Sequence, residues 1–265
     1  MRSNPVIRDA TYKVIGSLVD LLIWQVALVG ASVGKKGSRG VYKAFQEADQ
    51  ILEKVNSRSL VATWHQIFKK NLLTYKKRQN LYSPQITEYG KKRLNEIIPS
   101  YQKLRPWDKR IYLITYDIPE EKRVKRDLLR SFLLRLNSRL IQESTYINIY
   151  NPRKLLSDYV SEHNIPGTII ISDIGQDGGI GETTIQDFLV RTYSLEKLNE
   201  RYEDFINNAK SKSSSYVNIL FEYLSILKDD PQLPFELLPK GWLGDKAYAY
   251  YMEIKKIYIN SYAAA

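Results

Sequence analysis

The chain has 265 residues, 43% of them hydrophobic and 26% charged, with no cysteine and a formal net charge of +11. That length holds one large domain or two to three small ones, and this balance excludes a disordered polyelectrolyte. The lack of cysteine excludes disulfides, a thiolate nucleophile and thiolate metal sites, and fits a reducing, cytoplasmic setting. The charge is unevenly placed. Residues 1–105 carry 19 Lys or Arg against 7 Asp or Glu, a net of +12, whereas residues 106–265 carry 21 against 22. A cationic module joined to a near-neutral body is expected to meet a polyanion.

In chain order, the first notable segment is Val14–Val33, VIGSLVDLLIWQVALVGASV, mostly apolar and long enough to span a bilayer. Asp20 and Gln25 interrupt it, and an Asp at mid-membrane costs several kcal/mol. Cationic residues flank both ends, so charge gives no orientation signal. A buried helix is therefore the expectation, with no membrane partner, and Asp9 and Asp20 also argue against a signal peptide. GKKGSRG at 34–40 lacks the spacing of a phosphate-binding loop and reads as a connector. Apolar positions at helical spacing then predict a helix over 41–55.

A second helix is predicted over Ser59–Lys70, striped by Leu60, Trp64, Ile67 and Phe68 and capped from Asn56, Ser57 or Ser59. The period then changes to two short strands, Leu72–Lys77 and Leu81–Ile86, around the basic turn KKRQN. Thr87 is positioned to cap a helix from Glu88 with Leu94, Ile97 and Ile98 facing inward. Helix, helix, hairpin, helix is the order of a winged helix-turn-helix, whose core the Val14–Val33 helix would complete. Eight basic residues and one acidic residue, Glu88, lie between Lys69 and Arg93. Lys69, Lys70, Lys76, Lys77, Arg78, Lys91, Lys92 and Arg93 are the expected phosphate contacts on double-stranded DNA. Arg58, Thr63, His65 and Gln66, with Lys69, are the candidates for base edges.

Pro99–Pro106 reads as a linker. IYLITYDI at 111–118 predicts an apolar strand, and EEKRVKRDLLRSFLLRL an amphipathic helix with Val124, Leu128, Leu129, Phe132, Leu133 and Leu136 inward. Strands over 139–142 and 145–150, a helix over 152–162 and a strand over 168–173 complete a ferredoxin-like βαββαβ plan. Two helices on one sheet face leave the opposite face or an edge strand needing cover, so dimerisation or packing by neighbouring domains is expected. After the turn-rich IGQDGGIG, the chain is expected to be mostly helical from Thr184 to about Asn208, with another helix from Tyr216 to Lys228. The proline-rich run with Phe235, Leu237, Leu238, Trp242 and Leu243 is expected to strap a helical bundle before a last helix from Asp245. The fold class is thus α+β in three parts: 1–98, a linker at 99–108, a ferredoxin-like domain at 109–178, and a mostly helical dimerisation or effector domain at 179–265.

Asp117, at a strand end, is the one position to examine for catalysis. It could bind Mg²⁺ or Mn²⁺, paired across a symmetric dimer or with Asp173 if the fold brings that residue near. A lone Asp before Ile-Pro equally suits the cap of the following helix. His65 and His163 match no zinc motif, and no Ser-His-Asp or Cys-His pattern exists, so no cofactor is expected.

WDKRIYLITYDIPEEKRVKRDLLRSFLLRL with QESTYI resembles the central domain of the PaaX-like transcriptional regulators, the phenylacetic-acid degradation repressor family. That domain is similar in fold to the small CRISPR spacer-acquisition subunit, whose strand-end Asp is linked to metal-dependent nuclease activity. LVATWHQIFKKNLLTYKKRQNLYSPQITEYGKKRL resembles the winged helix-turn-helix that precedes it in the family, although Asn71 stands where such modules commonly carry Gly. DDPQLPFELLPKGWLGDKA is similar to the family's C-terminal proline-rich run. The resemblance implies a homodimeric, DNA-binding repressor that responds to an acyl-coenzyme A or another small effector. A metal-dependent nuclease and a nucleic-acid-associated protein adaptor are the alternatives.

Overall fold

The structure, a computed structural model, describes residues 13–29, 57–78, 81–174, 184–211 and 214–263. The helix expected over 41–55, the loop at 34–40, the cap candidate Asn56 and most of the IGQDGGIG turn lie outside these residues. The chain divides into two compact units. Unit 1 is Met1–Tyr101, Glu200–Asp229 and Leu243–Ala265; unit 2 is Gln102–Asn199 and Asp230–Trp242. The residues of the C-terminal third are therefore divided between the two units.

In unit 1, α1 (Leu18–Val29) occupies the centre. Asp20 to Val26 are all buried, two full turns with no wet face, as expected of a helix packed from every side. It meets α2 (Ser57–Lys69), β2 (Leu81–Ile86) and α3 (Glu88–Ile97), and also α9 (Gly244–Ala263). Trp24 packs on Phe221 of α8 (Tyr216–Asp229) with ring centroids 4.5 Å apart. Among the described residues, no helix is long and apolar enough to cross a membrane.

The corner between α2 and β1 (Leu73–Arg78) follows from a helix stop signal in the sequence. Asn71 adopts the left-handed region at φ 54°, the Leu72 amide donates to Ile67 O at 3.0 Å, and the Asn71 amide donates to Phe68 O at 2.9 Å. That is a Schellman ending, and buried Leu72 and Ile67 supply its usual apolar contact. Asn tolerates the left-handed region through its short polar side chain, so it serves here where Gly was the expected residue. β1 and β2 then pair antiparallel from Leu73↔Ile86 to Arg78↔Leu81.

Thr87 closes the corner from the other side. Its hydroxyl accepts from the Gly90 amide at 3.0 Å, capping α3, and donates to Asn71 O at 2.6 Å, while its own amide donates to Leu72 O at 3.1 Å. The start of α3 lies so close that a Cβ on Gly90 would fall 2.3 Å from Leu72 O and 2.8 Å from the Ile86 side chain.

Unit 2 contains β3 (Ile111–Asp117), a 3₁₀ turn (Glu120–Lys122), α4 (Arg123–Arg135), β4 (Arg139–Gln142), β5 (Thr145–Asn148), α5 (Arg153–Glu162) and β6 (Thr168–Ile174). The sheet order is β4-β5-β3-β6 with every neighbour antiparallel, the ferredoxin-like plan. α4 and α5 end as α2 does, on left-handed Asn137 and Asn164. On one face Ile114, Tyr116 and Tyr146 pack with Leu129 and Leu133 of α4 and Leu156 and Tyr159 of α5.

The other face is covered by this chain itself. Ile111 and Ile147 pack with Leu189 of α6 (Ile185–Thr192), with Tyr193 and Leu195, and with Leu233, Leu237 and Leu238 of the proline-rich run. The strap thus lies on the sheet, correcting the expectation of a helical bundle beneath it. Leu233, Leu237 and Leu238 supply apolar cover to the sheet face that α4 and α5 leave open. The stretch from Thr184 to about Asn208 is mostly helical, as expected, and forms two helices, α6 and α7 (Leu195–Ser211), separated at Ser194 with φ 53°.

Gly90→Ala forces either Leu72 or α3 to move, because the clash is with backbone. The variant is expected to lose about 1–3 kcal/mol of stability, read as a lowered midpoint in thermal or denaturant unfolding, with its secondary structure retained.

Candidate nucleic-acid interface

α2 turns Trp64 and Ile67 inward, at 4% and 0% exposure. Arg58, Ala62, His65, Gln66 and Lys69 are all exposed, and their spacing puts them on one helical face. Thr63 falls on the flank. It is half-buried, and its hydroxyl donates to Ser59 O at 2.7 Å within the helix. Four of the five base-edge candidates therefore share one outward stripe, and Thr63 stands apart from it.

The lysines follow the local structure. Lys69 and exposed Lys70 sit where α2 ends, where the helix dipole favours cations. Lys76 is exposed on β1, and Lys77 and Arg78 are the last two residues of that strand. On α3, Lys91 and Lys92 are exposed, and Lys91 pairs with Glu88 one turn earlier at 2.6 Å. An exposed pair of this kind is worth little and opens readily.

Arg93 does not belong with them. Its Nε donates to Asp20 Oδ1 at 2.5 Å and an η nitrogen donates to Asp20 Oδ2 at 3.2 Å, a two-point grip on a buried carboxylate. The hydrogen bond to Asp20 raises the guanidinium pKa further above its usual value, against the lowering effect of burial. Asp20 also holds the start of α1: its amide donates to Ser17 Oγ at 3.2 Å and the Ser17 hydroxyl donates back to its carboxylate. The phosphate role expected for Arg93 is thus replaced by an internal one. Sequence reasoning missed the pair because its partners are 73 residues apart. The available signal was the lone Asp inside an apolar run, which had to find a cation.

The metal candidates of unit 2 do not come together. Asp117 pairs with Thr168 at one end of the β3–β6 ladder, and Asp173 pairs with Tyr112 near the other. Five strand residues separate them, about 16 Å. Asp173 is gripped by Arg110 at 2.6 Å and by Arg153 at 3.2 Å. Desolvation works to raise its pKa, but a backbone hydrogen bond and these two arginines hold it below the usual carboxylate range. These two residues do not fit a shared Mg²⁺ or Mn²⁺ site within one chain. Exposed Asp117 ends β3 where Gly167, at φ 97°, brings the next strand against its carbonyl; a Cβ there would lie 2.1 Å from Asp117 O. Among the described residues no group of three or more His, Asp or Glu could hold a metal ion.

Comparison with known proteins adds a family to this geometry. Residues 104–182 match the PaaX protein central Cas2-like domain, and residues 193–264 match the PaaX-like protein C-terminal domain. The chain belongs to the PaaX-like family. The two matches lie in consecutive order and together span more than half of the sequence, and membership points to a transcription regulator. The fold of this PaaX-like chain is similar to that of an uncharacterized protein from Mycobacterium tuberculosis. Their TM-score is 0.61 at 13% identity, over 94% of this chain and 99% of the other. No curated protein matches the sequence.

Two neighbouring cations of α3 are expected to behave oppositely. Arg93→Ala strands the buried Asp20 carboxylate and should lower stability by about 1–3 kcal/mol, since Arg93 is itself partly exposed. Lys92→Ala should leave the unfolding midpoint within about 0.5 kcal/mol of the parent. Equal losses in the two unfolding curves would contradict this division.

Proposed function

We propose that this PaaX-like protein is a DNA-binding transcriptional repressor that acts as a homodimer on a duplex operator. Residues 57–97 serve as its winged helix-turn-helix. The observation that carries the reading is the outward stripe of α2, where Arg58, His65, Gln66 and Lys69 share one exposed face flanked by Lys70, Lys76, Lys91 and Lys92. α2 is then the helix that enters the major groove, with Arg58, His65 and Gln66 at base edges and the lysines at phosphates. Lys77 and Arg78, at the end of β1, extend the cationic set towards the hairpin turn. Family membership favours the same function through residues that take no part in this surface.

A homodimer would present two such helices to half-sites about one helical turn apart, which makes a pseudopalindromic operator the expected target. The remaining residues, from the linker at 99–108 onward, would carry dimerisation and response to an effector, with an acyl-coenzyme A the first class to examine. A cytoplasmic location suits that role. Metal-dependent cleavage through Asp117 is the runner-up, and the separation of Asp117 from Asp173 weighs against it.

Selection of bound fragments from genomic duplex pools tests the proposal directly. A recurrent, pseudopalindromic sequence bound without cleavage in Mg²⁺ or Mn²⁺ is the expected result. Binding without sequence preference, or metal-dependent cleavage that Asp117→Ala abolishes, would overturn it. On the selected duplex, replacing Lys76, Lys77 and Arg78 together by Ala should weaken binding to every sequence alike. The same change should reduce the slope of log affinity against log salt by about two to three.

A further inference from the structure

A two-stranded hairpin is marginal on its own, so the direction of β1 and β2 depends on what the hairpin leans against. The Asn71 corner fixes where β1 leaves α2 but lies at the foot of the strand. Further along, a second contact restrains it. The Tyr75 ring lies flat on Phe68 of α2, with centroids 4.1 Å apart and planes 9° from parallel. Trp64 Nε1 donates to the Tyr75 hydroxyl at 3.1 Å, and Trp64 meets Phe68 edge-on at 5.4 Å. Trp64 is 4% exposed and anchored in the core, whereas Tyr75 is 47% exposed. An aromatic ring half in water, stacked parallel on a residue of the preceding helix, contributes more to direction than to burial. The next three residues are Lys76, Lys77 and Arg78.

We propose that Tyr75 is a positioning residue for DNA binding: stacked on Phe68, it holds the hairpin at the angle to α2 at which Lys76, Lys77 and Arg78 reach phosphates while α2 occupies the groove. The inference rests on the DNA-binding reading. Without the ring the charges are unchanged, but β1 loses its side-chain contact with α2 beyond the corner. Tyr75 acts through those cations and touches no base itself.

A cycle of variants of the full chain, titrated with the selected duplex at several salt concentrations, separates this role from simple stabilisation. Tyr75→Ala is expected to lower the salt slope by about two to three, as the Lys76/Lys77/Arg78→Ala triple does. Combining the two should bring no further fall. Tyr75→Phe keeps the stacked ring and should keep the parent slope. Where Tyr75→Ala does not unfold cooperatively, Tyr75→Leu, which still covers Phe68 but cannot stack, is read by the same criteria. An unchanged slope without the ring, additive losses in the combination, or a Tyr75→Phe loss as large as that of Tyr75→Ala each overturns the assignment. Absence of salt-dependent duplex binding by the parent protein would instead overturn the DNA-binding reading, and the positioning role with it.

Discussion

The Leu72 carbonyl is the point on which unit 1 depends. It receives the Thr87 amide at 3.1 Å and a lesser share of the Thr87 hydroxyl proton at 3.1 Å, the nearer acceptor being Asn71 O, and it lies where any side chain on residue 90 would have to stand. Three elements meet there: the end of α2, the start of β1 and the start of α3. Each supplies part of the cationic surface, so their mutual angles set the spacing of its charges. A hydrogen-bonded corner with no room for a methyl group holds such angles better than apolar packing, which tolerates sliding. Burial of Leu72 and Leu73, each 1% exposed, keeps water from competing for the carbonyl.

α1 supplies the floor beneath this corner, and its one carboxylate explains two features together. An apolar helix packed on all sides has no register of its own, because Leu, Ile and Val contacts are similar at several rotations. Asp20 removes that freedom. Ser17 turns with the helix it caps, but only one rotation lets Asp20 reach the Arg93 guanidinium on α3. Buried ion pairs of this kind are weak contributors to net stability but select among packings that are otherwise close in energy. The residue that argues against a membrane span is thus the one that fixes the helix in its core.

Much of this was legible in the sequence because the signals are local. The helix end near Lys70, the Thr87 cap, the hairpin period and the apolar run of β3 are all written within a few residues of where they act. What escaped depended on distant partners. The commitment of Arg93 to Asp20 and the seating of Leu233, Leu237 and Leu238 on the sheet of unit 2 join segments far apart in the chain. The stretch from Thr184 to about Asn208 was legible as mostly helical, and the turn at Ser194 divides it where Tyr193 and Leu195 both enter the core cluster. For the site, composition identified the cationic stretch and helical spacing identified the outward face of α2. Neither could distinguish a cation turned to solvent from one turned inward.

That distinction also accounts for the uneven charge of the molecule. In unit 2 several cations are engaged internally: Arg110 and Arg153 share Asp173, Arg126 pairs with Glu120 at 2.8 Å, and buried Arg105 donates to Leu233 O at 3.0 Å. Its sheet packs against α4 and α5 on one face and against its own α6 and proline-rich strap on the other. In unit 1, Lys69, Lys70 and Lys92 stand exposed on consecutive elements around one corner. Electrostatic attraction to a polyanion scales with cations that are not already neutralised at short range, not with their total. Within the excess of +12 in residues 1–105, Lys69, Lys70 and Lys92 are therefore better placed to act on a polyanion than Arg93, which is committed to Asp20.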